Sequence, residues 1–147
     1  MEEYPKVYLY KRIVQAKLFI DTNFGDDIDL NNISDNAYFS KFHFIRLFKK
    51  IYGKSPHQYL TKVRIDNARD LLEKGNSIAD TCFNVGFNSI TSFAGLFKRH
   101  TNLSPLQYQQ NYQQRKQLID HEPLAFIPNC FADKKGWLKN SNFQEAW

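Results

Sequence analysis

The stretch SKFHFIRLFKKIYGKSPHQY, residues 40–59, recurs as SITSFAGLFKRHTNLSPLQY at residues 89–108. Ser40, Phe44, Phe48, Lys49, Ser55, Pro56 and Tyr59 match Ser89, Phe93, Phe97, Lys98, Ser104, Pro105 and Tyr108 at a constant offset of 49. Upstream, Leu30, Ile33, Ser34 and Ala37 correspond to Ile78, Thr81, Cys82 and Val85 at an offset of 48. The second copy therefore holds one extra residue near Gly86–Asn88. So many matches in one order mark a duplicated unit.

Each copy reads as two helices joined by a short turn. In the first, Asp29 can cap a helix over 30–37 whose Leu30, Ile33 and Ala37 share a face. Tyr38 and Phe39 make the turn, and Ser40 caps a second helix over about 41–51. That helix is expected to turn Phe44, Leu47, Phe48 and Ile51 inward and to show Lys41, His43, Arg46, Lys49 and Lys50 outward. Gly53 ends it in a left-handed conformation, and Ser55-Pro56 opens the next helix with a cap and a first-turn proline. The second copy repeats the plan. Ser77 and Ile78 begin its first helix, Cys82 packs at a helix crossing, Phe87 fills the centre and Ser89 caps its second helix. Asn102 takes the place of Gly53. A pair of helices of this kind is a helix-turn-helix, whose second member can enter the major groove of DNA.

Between the copies, residues 56–74 form a long helix with a broad apolar stripe of Tyr59, Leu60, Val63, Ile65, Ala68, Leu71 and Leu72, ended by Gly75. At 1.5 Å per residue it measures roughly 27 Å, suiting two grooves about 34–36 Å apart on a somewhat bent duplex. A helix over 10–24 precedes the first copy, and another runs from Pro105 to about 116. The expected class is all-α, with a lead at 1–8, a first helix-turn-helix subdomain at 9–55, a linker helix at 56–74 and a second subdomain at 75–116. The extension at 117–147, broken by prolines and Gly136 yet rich in Leu124, Phe126, Phe131, Trp137, Phe143 and Trp147, is expected to lie over the body or to cover a partner.

Charge sharpens this reading. The net charge of +5 hides seven basic and no acidic residues in 40–64, and four basic and no acidic residues in 81–119, whereas 1–39 is acidic. Basic blocks of this kind favour a polyanion, because each Lys or Arg placed over a phosphate releases a condensed counterion. Base reading needs exposed side chains near the start of a recognition helix. In the first reader these are Phe42, Ile45 and Arg46. The Arg46 fork suits a guanine edge, and the two apolar side chains suit thymine methyl groups. In the second they are Ile90, Thr91 and Gly95, with no bidentate donor. A glycine inside a helix costs roughly 0.5–1 kcal/mol relative to alanine, so close approach to DNA or to another helix is the expected compensation at Gly95. Phosphate contacts fall on Ser40, Lys41, His43, Lys49, Lys50 and Lys54 in the first copy, and on Ser89, Lys98 and Arg99 in the second.

Other chemistries fit poorly. His43, His57, His100 and His121 form no zinc pattern with cysteines or carboxylates, and Asp26, Asp27 and Asp29 lack the remaining ligands of a calcium loop. There is no nucleotide-binding glycine loop and no nucleophile elbow. No enzymatic activity, metal or cofactor is expected. No run approaches 18 apolar residues, which argues against a membrane helix. The start has no signal-peptide pattern, and Cys82 and Cys130 are too few for a disulfide scaffold. These features favour a reducing cytoplasm.

The motifs S-x-x-x-F-x-R-x-F-K at 40–49 and G-x-S-P-x-x-Y at 53–59 resemble those of the AraC/XylS-type transcription regulators. So do I-A-D-T-C-F-N-V-G-F-N-S at 78–89, F-x-x-x-F-K at 93–98 and L-S-P-x-x-Y at 103–108. The likeness covers about residues 9–112. It implies a seven-helix DNA-binding domain with two recognition helices in successive major grooves, and regulators that usually activate transcription by touching RNA polymerase. In such regulators the positions that often contact bases fall here on Phe42, Ile45, Arg46, Ile90, Thr91 and Gly95, with arginine or another polar residue common at the last. The short lead resembles small stand-alone members that act as monomers. The leading expectation is a sequence-specific activator. An architectural DNA-binding protein of weak specificity, or a protein-interaction module built on the apolar tail, are the alternatives.

Overall fold

The computed structural model describes residues 3–31 and 41–122 of the chain. Among these residues there are six helices and no strand: α1 (Glu3–Asn23), α2 (Lys41–Tyr52), α3 (Pro56–Glu73), α4 (Ile78–Asn84), α5 (Ile90–Thr101) and α6 (Pro105–His121). The all-α expectation holds. The chain forms two compact units, residues 1–107 and 108–147, and the first contains the whole first copy of the repeat and the second copy up to Gln107. The Asn31 N–H donates to Asp29 Oδ1 at 2.9 Å, as expected of a cap. The helix entered there, the turn after it and Ser40 fall outside the described residues, as do Cys130 and the extension from Pro123.

Local sequence sets the helix ends. Ser55 and Ser104 make the same capping box, each serine oxygen accepting from the backbone N–H three residues on. Gln58 and Gln107 return the contact to the serine N–H, at 2.9 and 3.2 Å. Pro56 and Pro105 follow, where the missing N–H costs nothing. Gly53 and Asn102 both adopt positive φ, 75° and 65°, and close α2 and α5 by bonding to Lys49 O and Lys98 O. The duplication therefore reaches down to individual hydrogen bonds. Two ends differ from expectation. α1 starts at Glu3 because Pro5 falls in the first turn, where a helix makes no use of its N–H, and α6 continues to His121.

Two small aromatic cores follow. In the first, Ile13, Ala16 and Ile20 of α1 meet Phe44 and Phe48 of α2 and Leu60 of α3, with Leu30 beside them. Val14, Leu18 and Phe19 of α1 stay exposed, so only a narrow stripe of this helix is buried. Ile51 is also 37% exposed rather than inward. Tyr52 takes the inner place in that last turn, its ring 5.0 Å from Phe48 and 6.0 Å from Tyr59. Tyr59 donates to Asp21 Oδ1 at 2.5 Å, tying α3 to α1. Burial, then this bond, pushes the Tyr59 phenol up to about 12. In the second core Thr81 and Cys82 of α4, Val85 just after it, and Phe93 and Phe97 of α5 are buried, with Ile65, Ala68 and Leu72 of α3. Helix α3 packs against both α4 and α5, so its two halves serve two cores. Cys82 packs as expected, its thiol raised by burial.

One side chain joins the two. Arg64, midway along α3, donates from Nε to Phe24 O at 2.7 Å and from a terminal nitrogen to Asp26 O at 3.0 Å. Its guanidinium also lies 5.6 Å from the centre of the Phe87 ring, which in turn packs on Phe93 at 5.4 Å. Partial burial lowers the Arg64 pKa from its ordinary value, yet a guanidinium remains charged across the physiological range. The loop after α1 is thereby pinned to the turn between α4 and α5. Gly86, at φ 101°, makes room for it: a Cβ there would stand 2.7 Å from Phe24 O and 2.9 Å from Arg64 Nε. Replacing Arg64→Met keeps the stem but leaves two carbonyls without this donor, and should cost about 1–2 kcal/mol. Gly86→Ala adds left-handed strain to a backbone clash and should cost about 2–3 kcal/mol. Urea unfolding monitored by circular dichroism measures both.

Candidate nucleic-acid interface

The two outer helices of the repeats, α2 and α5, are built alike. Each has 12 residues and buries two phenylalanines four positions apart, Phe44 and Phe48 in one, Phe93 and Phe97 in the other. The ring centres lie 6.1 and 5.7 Å apart. Burying that stripe forces the opposite face outward, because side chains four apart share one side of a helix. The outward faces carry the residues that the sequence nominated.

On α2, Lys41, Phe42, His43, Arg46, Lys49 and Lys50 are exposed, and Phe42 reaches 76%. An aromatic ring so open to water contributes nothing to the core and stands ready for an apolar partner. Arg46 Nε makes a long 3.4 Å contact with the Phe42 carbonyl one turn back, an interaction weak enough to yield to a better acceptor. Ile45 is half-buried and packs against the first core, leaving only part of its side chain for a groove. Lys54 is half-buried in the turn after the helix. Lys49 and Lys50 occupy the last turn, where they also offset the negative end of the helix dipole.

On α5, Ser89 accepts the Ser92 N–H at 3.3 Å, which leaves its own O–H available as a donor. Ile90, Thr91, Gly95, Lys98 and Arg99 are exposed. A Cβ placed on Gly95 would meet nothing within 4 Å, so no other helix uses the space there. The expected compensation by another helix is thus not seen among the described residues. The second reader thus offers methyl groups, a hydroxyl and bare backbone near its start, with Lys98, Arg99 and His100 in its last turn.

The basic ends of the readers converge. Lys49 and Lys54 from the first copy and Arg99 from the second line one cleft of about 540 Å³, together with His57 and His100. Reading the sequence raised these two histidines only as metal ligands; 43 positions separate them, and no local period links them. Among the described residues no group of three or more His, Cys, Asp or Glu could hold a metal ion.

Comparison with known proteins agrees with this architecture. The model of a helix-turn-helix domain family matches residues 33–111. An uncharacterised HTH-type transcriptional regulator of Pseudoalteromonas carrageenovora is 30% identical over 100 residues, covering 68% of this chain and 60% of that protein. The lactose operon transcription activator of Staphylococcus xylosus is 29% identical over 118 residues, covering 76% of this chain and 42% of the activator. The chain thus spans 60% or less of the length of these two relatives. Among solved structures, the DNA-binding domain of the global transcriptional factor AdpA in complex with a target DNA superposes with a TM-score of 0.66. It shows 27% identity and covers 70% of this chain and 94% of that one.

The open space at Gly95 makes a direct test. Gly95→Ala should raise stability by about 0.5–1 kcal/mol through helix propensity alone, read as a higher urea midpoint. If DNA backbone or bases come close there, the same change should weaken duplex binding despite the more stable fold.

Proposed function

Because the chain belongs to the AraC-type helix-turn-helix family, we propose that it is a sequence-specific DNA-binding transcription regulator that sets α2 and α5 into successive major grooves of promoter DNA. The observation that carries this reading is the pair of equivalent helices whose outward faces are basic and uncommitted to the core. In it Phe42, Ile45 and Arg46 read bases in one groove, and Ile90, Thr91 and the bare backbone at Gly95 follow the other. Lys41, His43, Lys49, Lys50, Lys54, Ser89, Lys98 and Arg99 hold phosphates, as would Ser40.

Segments 9–55 and 75–116 act as the two reading subdomains, with 56–74 as the spacer. The readers are chemically unequal, which fits a monomer on an asymmetric site better than a two-fold symmetric dimer. Activation by contact with RNA polymerase, in the cytoplasm, is the regulatory mode we assign, supported by the activator among the relatives. Among the described residues no helix is long and apolar enough to cross a membrane. A weakly specific architectural role draws support from a single feature, the lack of a bidentate donor on the first turns of α5.

Selection of binding sites from randomised duplex DNA with the full chain separates the two. A regulator enriches an asymmetric motif of about two helical turns, with most of its information in the half read by α2. Binding without enrichment would establish the architectural role instead. On the enriched site, Arg46→Ala should lose about 1–3 kcal/mol of affinity while binding random DNA nearly as well as before. Equal weakening on both would make Arg46 a phosphate ligand.

A further inference from the structure

The cleft between the two readers is a site that the pattern of base-reading positions does not include. Its walls come from the end of α2 and the turn after it, from the first turns of α3 and from the last turns of α5. They carry Lys49, Lys54, His57, Arg99 and His100, around a floor that includes Leu96. No acidic residue lines it. The nearest carboxylate in sequence on the linker helix, Asp66, lies two turns beyond His57 and is paired with Lys62 at 2.7 Å. Five nitrogen-bearing cations or potential cations therefore face one opening with nothing of opposite sign among them.

We infer that this cleft holds a sugar-phosphate backbone bordering the minor groove that lies between the two major grooves, and that His57 and His100 take up protons as it binds. The inference rests on the DNA-binding reading above. When α2 and α5 occupy successive major grooves on one face, the minor groove and its two flanking backbones must pass the protein between the two helices, where the cleft lies. Lys49, Lys54 and Arg99 supply fixed positive charge. The two imidazoles differ in kind, because histidine is the side chain whose charge ordinarily changes between pH 5 and 8. A phosphodiester is negative throughout that range, and an opposite charge within a few ångströms favours the protonated ring.

The sign follows from linkage. If the complex binds protons that the free protein does not, affinity rises as pH falls through the histidine range and is lost as pH rises through it. A shift of one pKa unit on binding is worth up to tenfold per imidazole. The remaining groups around the cleft, Lys49, Lys54, Arg99 and the Lys62–Asp66 pair, are of types that ordinarily hold their charge between pH 6 and pH 8. His43, on the outward face of α2, is assigned to a phosphate as well and adds its own proton uptake, so the comparison is made on a His43→Gln background.

The test measures binding of the full chain to random-sequence duplex of about two helical turns, at constant ionic strength, from pH 6 to pH 8. Random sequence suffices because phosphate contacts carry no sequence information. The wild-type Kd should rise roughly tenfold across the range. On a His43→Gln background, His57→Gln with His100→Gln should flatten the change to less than about threefold, with affinity at pH 8 near that of the His43→Gln parent. Imidazole NMR titrations with and without duplex give an independent reading, since both rings should titrate at higher pH in the complex. A double variant that keeps the full slope, or a wild-type protein whose binding is salt-sensitive but flat in pH, would overturn the inference and leave the regulator reading intact. Failure to bind any duplex at any pH would overturn both.

Discussion

The fold turns on the guanidinium of Arg64. Two units, each with its own pair of buried phenylalanines, could sit on one helix at many relative angles if only the helix joined them. Arg64 removes that freedom by bonding to Phe24 O and Asp26 O on one side and covering the Phe87 ring on the other. Removing part of a guanidinium from water is costly, and here two carbonyl acceptors and an aromatic face offset the cost. Gly86 is the steric counterpart of the same contact. The loop after the first helix, the middle of the linker and the turn of the second unit are one joint, built from residues about 40 and 60 positions apart.

A fixed joint matters because of what the outer helices do. In the proposed complex, two readers held at a set separation would meet two grooves without first losing relative motion, so less ordering entropy would be spent on binding. The same rigidity brings Lys49 and Lys54 of one copy beside Arg99 and His100 of the other, with His57 between them. Neither copy alone has that cleft. Duplication supplied two similar helices, and the joint converted the space between them into a third surface.

The copies have diverged where chemistry occurs and stayed alike where the fold needs them. The capping serines, the prolines, the phenylalanine pairs and the left-handed residues at the helix ends correspond in both. The outward face has changed instead, from Phe42 and Arg46 on one helix to Thr91 and Gly95 on the other. Lysine is kept at Lys49 and Lys98. In the proposed complex such a pattern divides the work, with hydrogen-bonded and aromatic contacts on one side and close backbone approach on the other.

The amino-acid sequence by itself determined the helices among the described residues, most of their ends and the faces they turn outward. Caps, first-turn prolines, left-handed Gly53 and Asn102, and apolar residues three or four apart act over a few residues, so a linear reading finds them. The repeat supplied a second, independent copy of each signal. The linear reading placed Ile51 inward, because periodicity names an apolar face but not how much of it a neighbour covers; Tyr52 rather than Ile51 fills the space beside Phe48 and Tyr59. Only the tertiary structure decided the role of Arg64, which in the sequence is one more cation in a basic block, and the meeting of His57 with His100. Both depend on packing between segments far apart in the chain. No local spacing encodes that.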